Sequence, residues 1–147
     1  ERFGTPYVVG APLGDTVSAL LLGALQNSIR TGENEILPAG TPDAPDTVIL
    51  GESVTSRSLA AALLLDYGIC AEVICPVELP RELEGYFCRQ IEDEQDLQAA
   101  LSGARRVIAD PLFAPIVPQG AQFFPLPHEA YSGRIYRKQI PNLVTTW

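Results

Sequence analysis

Apolar and polar positions along this chain fall into blocks that read alternately as strand and helix. Residues 47–50 form a continuous apolar run, the pattern of a central parallel strand. A nearly all-apolar helix is expected over 55–67, stopped by Gly68, and residues 71–75 give a second strand. Residues 81–87 and 93–101 read as helical, 106–109 as a third strand, and the Pro-punctuated stretch to Pro118 as a short helix or loop. Residues 122–126 are a fourth strand, where Pro125 suits a sheet edge. Upstream, residues 5–9 are a short strand candidate and 10–14 a Gly/Pro breaker. Asp15 then suits the N-cap of a helix to about Arg30, with Val17, Leu20, Leu21, Ala24, Leu25 and Ile29 at helical spacing and Gly32 as its C-terminal cap.

This alternation implies βαβ crossovers and an α/β fold. The expected architecture is three-layer α/β/α, with a four-stranded parallel sheet in the order 2-1-3-4. Pro38, Gly40, Pro42 and Pro45 mark a connector that divides the chain. The expected organisation is 1–45 as the strand, helix and linker of a preceding domain, 46–127 as a Rossmann-like domain, and 128–147 as a site loop and tail.

Composition narrows the function classes. The chain has 147 residues, 46% hydrophobic and 19% charged, which supports a folded core. A net charge of −8 argues against nucleic acid and anionic membrane as partners. Apolar runs such as 59–65 are too short to span a bilayer. The chain starts at Glu1, contains no methionine and shows no signal peptide, as expected of a piece of a longer protein or of a processed chain. Cys70, Cys75 and Cys88 are odd in number and scattered, the pattern of reduced thiols in a cytoplasmic protein.

Candidate chemistry is sparse. The turn from Gly51 to Ser56 has one glycine where a dinucleotide fold needs three, and Glu52 would repel a phosphate, so dinucleotide and P-loop readings fail. Ser53, Thr55 and Ser56 are expected as helix-capping hydroxyls, or else as polar lining at the sheet edge. The cysteines lack zinc-site spacing. Asp110 could match a phosphoacceptor aspartate, but no lysine lies near the fourth strand, and Asp110-Pro111 reads better as a turn. Glu92, Asp93, Glu94 and Asp96 fit a solvated helix start. His128, the single histidine, follows the last strand and could be a metal ligand, a proton carrier or an ordinary loop residue, the last being commonest.

Two stretches carry a resemblance. Glu1-Arg2-Phe3-Gly4-Thr5-Pro6-Tyr7, with the loop from Gly10 to Gly14 and the helix after it, resembles a segment of nitrogenase component 1 and its relatives. The second stretch, Pro127-His128-Glu129-Ala130-Tyr131-Ser132-Gly133-Arg134-Ile135-Tyr136, resembles the loop that carries the histidine ligand of the iron–molybdenum cofactor. Two residues separate His128 from Tyr131, where the family pattern has three. The domain between the stretches is similar in order and length to the family's terminal Rossmann-like domain.

The resemblance implies a nitrogenase-like oxidoreductase whose relatives reduce dinitrogen or tetrapyrrole double bonds, or serve as cofactor-assembly scaffolds. Implied partners are a homologous component 1 subunit and an ATP-driven iron–sulfur reductase. It also implies a cavity wall formed by Gly51, Glu52, Ser53, Asp110 and the 127–134 loop. In that wall His128 would be a metal ligand or proton donor of the full-length protein, Tyr131, Ser132 and Gly133 its neighbours, and Arg134 a countercharge to an anionic cofactor or substrate. The family's cofactor cysteine would lie upstream of Glu1, and none of the three cysteines matches a cluster ligand. The isolated chain is therefore expected to be inactive and to carry no cluster, although the family uses an iron–sulfur or related metallocluster. The rival expectation is a non-catalytic α/β module that binds a small ligand or metal chelate.

Overall fold

A computed structural model describes residues 4–37, 45–85, 87–128, 131, 132, 135 and 138. The chain is mixed α/β, built on a parallel sheet. Its elements run β1 (Val8–Val9), α1 (Gly14–Thr31), β2 (Glu35–Ile36), β3 (Thr47–Leu50), α2 (Ser53–Tyr67), β4 (Ala71–Cys75), β5 (Cys88–Gln90), α3 (Glu94–Leu101), β6 (Arg106–Ala109) and β7 (Gln122–Pro125). Short 3-10 turns cover Arg81–Leu83 and Pro111–Ile116.

The main sheet has five strands in the order β5-β4-β3-β6-β7, all parallel. The four expected strands follow one another as 2-1-3-4 within it, but the expected four-stranded sheet is corrected by a fifth, β5. The expected helix over 81–87 is also corrected. After the turn Arg81–Leu83 the backbone extends at Glu84, and Gly85 bridges back to Cys88. The physical reason is the open edge of β4. Its unpaired groups take Phe87 O onto Val73 N (2.7 Å) and Ile91 N onto Cys75 O (3.0 Å), a gain that a weak local helix pattern cannot match.

The central strand divides two cores. Ile49, Val73 and Ile108 pack under Leu59, Ala60 and Leu63 of α2 on one face. Val48, Leu50, Ile74, Val107 and Ala109 pack against Leu97 and Leu101 of α3 on the other. This two-sided burial explains why the strands are continuously apolar rather than alternating. The β7 edge carries Pro125.

In the N-terminal part, β1 pairs in parallel with β2, and α1 packs on α2 through Val17, Leu21 and Ala24 against Ala61 and Ala62. Gly32 closes α1 at φ +75° and Gly68 closes α2 at φ +67°, the left-handed conformation that favours glycine. Asp15 lies in the first turn of α1, but Leu13 is the residue at the N-cap and makes no side-chain cap. The inward stripe is also narrower than expected. Leu20, Leu25 and Ile29 face outward, Ile29 82% exposed, and Leu22 joins them. The expected connector falls mostly on residues 38–44, which lie outside the described residues. No described helix is long and apolar enough to cross a membrane.

Thiol burial gives a direct check on this packing. Cys75 is 0% and Cys88 1% exposed, whereas Cys70 is half-buried, and none forms a disulfide. An aromatic disulfide reagent is expected to titrate Cys70 in the native chain and all three thiols after denaturation. Fast labelling of three thiols without denaturant would contradict the packing.

Candidate functional site at the carboxyl edge of the sheet

Because all five strands are parallel, their carboxyl ends gather at one edge, the usual ligand-binding edge of open α/β sheets. There Leu50 leads into Gly51, Glu52 and Ser53, Cys75 ends β4, Ala109 leads into Asp110, and β7 leads on to His128.

Glu52 heads α2. Its carboxylate accepts from Val54 N (2.8 Å) and Thr55 N (2.5 Å). This corrects the expectation that Ser53, Thr55 and Ser56 cap the helix with their hydroxyls. The longer glutamate reaches both free N–H groups, and its charge suits the positive end of the helix. Ser53 and Ser56 are buried in the first turn instead. Gly51 has a steric reason, since a Cβ there would lie 2.6 Å from Ser56 Oγ.

Asp110 is the centre of the edge. It is 2% exposed, and one oxygen accepts from Leu112 N at 3.0 Å, capping the 111–116 turn. The other accepts from His128 N (2.8 Å) and Ser132 N (3.2 Å). The expected Asp-Pro turn is present, and the same carboxylate also holds the backbone of His128 and Ser132 beyond the last strand. Burial pushes the Asp110 carboxyl up. The N–H groups of His128 and Leu112, with the hydroxyl and N–H of Ser132, outweigh it and leave the acid below its ordinary value. The Ser132 hydroxyl lies beside this carboxylate without the geometry of a regular hydrogen bond, so the backbone N–H is the firmer link.

The loop carries its own turns, Tyr131 N to His128 O and Ile135 N to Ser132 O, both 2.9 Å. These bring three rings together. Tyr131 meets Phe113 edge to face at 5.5 Å and the His128 imidazole at 5.6 Å. The Tyr131 hydroxyl oxygen is buried with no hydrogen-bond partner. Burial raises its pKa, and the nearby carboxylates of Glu52 and Asp110 add to the shift. The phenol therefore stays protonated, as a donor. Gly133 and Arg134, expected beside it, lie outside the described residues.

Beneath the edge is a group that no sequence motif marks. Cys88 on β5 pairs in register with Val73 and shares one buried core with Cys75, so the two thiols influence each other's ionisation. The bond from Cys75 favours the Cys88 thiolate, burial opposes it, and Arg57 favours it, bringing Cys88 to about 7. Cys75 is raised by the same pairing and by burial. Arg57 is fixed by donating to Leu83 O (3.0 Å) and Leu37 O (3.2 Å). Twelve residues separate the two cysteines, and only the unexpected β5 brings them together. Phe113 is a second residue that the sequence reading missed, although the Asp110-Pro111 cap just before it is a usable signal.

The class that fold and site define is an open parallel α/β domain with a histidine–tyrosine loop fixed at its carboxyl edge. No family model, curated protein or solved structure matches the chain. Among the described residues, no group of three or more His, Cys, Asp and Glu could hold a metal ion. The local reason is plain: Glu52 and Asp110 spend their oxygens on backbone N–H groups.

Proposed function

We propose that this chain is the terminal Rossmann-like domain of a nitrogenase-component-1-like oxidoreductase. Its carboxyl edge then forms one wall of a metallocofactor or tetrapyrrole-type substrate cavity. The observation that carries the reading is the fixed loop after β7, where His128 and Tyr131 are held by the buried Asp110 carboxylate. The resemblance of residues 127–136 to the family's cofactor-histidine loop supports the same reading.

The donor set fits a wall rather than a complete cage. His128 supplies one imidazole, as a ligand or proton donor, and Tyr131 one protonated hydroxyl. Gly51, Glu52 and Ser53 close the neighbouring side, and Arg134 supplies a countercharge. The remaining ligands would come from chain upstream of Glu1 or from a homologous component 1 subunit. When bound, a metallocluster would supply the redox chemistry, with electrons from an ATP-driven iron–sulfur reductase. This chain's residues orient what is bound and exclude water from one side.

The test is His128→Ala in the protein that contains this chain with its upstream sequence. Metal content and reductase-dependent turnover are both expected to fall at least about tenfold, the scale of losing one metal-site group. If both stay unchanged, His128 leaves the site, and a non-catalytic small-ligand module or assembly scaffold becomes the better account.

A further inference from the structure

We infer that Asp110 is a positioning residue: its one buried carboxylate sets both the 111–116 turn and the 128–132 loop, and so fixes where the His128 imidazole and the Tyr131 hydroxyl stand. The consequence for a ligand rests on the function proposed above, but the positioning itself does not.

Three donors meet this carboxylate and come from two separate stretches of chain. The oxygen on Leu112 N orders the turn that delivers Phe113. The oxygen shared by His128 N and Ser132 N orders the loop that delivers His128 and Tyr131. The rings of Phe113, Tyr131 and His128 then pack in series. At 2% exposure the carboxylate itself is closed to a ligand, so it acts through the residues it holds. Its anionic form is the one that suits the place, because all three protein groups are donors.

This arrangement separates two substitutions. Serine at 110 keeps a short acceptor that can cap its own turn at Leu112, but it is too short to span to His128 and Ser132. Asparagine has one acceptor oxygen, so its NH2 must face either Leu112 N–H or the His128 and Ser132 N–H pair. Neither replacement can serve both stretches.

His128 is the single histidine, so its imidazole resonances are unambiguous. The experiment measures ring-to-ring nuclear Overhauser effects between His128 and Tyr131, and amide hydrogen exchange along the chain. In Asp110→Ser we expect those ring effects to disappear and exchange at His128 and Ser132 to speed at least about tenfold, while Leu112, Ile49 and Ile108 stay protected. Asp110→Asn gives a second measure should the serine variant be too unstable, with faster exchange either at Leu112 or at His128 and Ser132. Unchanged ring contacts and exchange in a folded variant would overturn the inference. So would unprotected His128 and Ser132 amides in the unsubstituted chain. Loop release in Asp110→Ser, together with an unaffected His128→Ala protein, would keep the positioning role and reject the proposed function.

Discussion

Asp110→Ala is expected to lower the unfolding free energy by about 2–4 kcal/mol at pH 7, a sum of one lost cap and two further buried donors left without their acceptor. The loss is bounded if the released His128 and Ser132 N–H groups turn to water instead. The sign of the pH dependence follows from the carboxyl's position. Its folded value lies below the ordinary one, since the three N–H donors outweigh burial. Its contribution is therefore fully present above the unfolded value of about 3.9 and is lost as pH falls through the folded value. Urea unfolding of the parent and Asp110→Ala chains at pH 7, 5 and 3 should give a constant gap between the first two points and a smaller one at the third. Glu52 contributes equally to both chains and cancels in the difference. A gap that persists undiminished in acid would mean that the aspartate acts by packing rather than by charge.

Ile49→Ala is expected to cost about 2–5 kcal/mol, the range for removing a large aliphatic side chain from a core. Ile49 is 1% exposed on the central strand, between β4 and β6 and under α2, so it has no route to water and few neighbours able to collapse inward. Denaturant unfolding of the two chains measures it. A substitution of the exposed Gln122 on the β7 edge should stay within about 0.5 kcal/mol. Comparable losses at both positions would mean that β3 is not the centre of the core.

Much of the main sheet could be read from residue order because its determinants are local. Apolar runs mark β3 and most of β4 and β6, since strands covered on both faces have no polar side to display, while β7 shows only the Phe123–Phe124 pair between exposed Gln122 and Pro125. Glycines at 32 and 68 end α1 and α2 because only they take the left-handed conformation without cost. Asp93 caps α3 through Gln95 N and Asp96 N, which matches the acidic cluster seen there. Candidate residues at the sheet edge were also legible, because strand ends and turn residues are punctuation in the sequence. Their division of labour was not. Glu52 and Asp110 look alike as acids after strands, yet one caps a helix and the other joins two distant loops.

By itself, then, the amino-acid sequence determined an α/β chain with parallel strands, their approximate limits, an acidic surface and a histidine after the last strand. Tertiary structure alone decided the fifth strand, because β5 gains its hydrogen bonds from β4 and not from its own neighbours in the chain. It decided which flank of α1 is buried, because that depends on where Ala61 and Ala62 of α2 lie. It also decided what holds His128. The carboxylate that fixes His128 N lies 18 residues earlier, and the same oxygen holds Ser132, 22 residues on. No local pattern records a bond of that reach. It exists because parallel β6 and β7 bring their carboxyl ends side by side and set the buried Asp110 carboxylate against the N–H groups of His128 and Ser132.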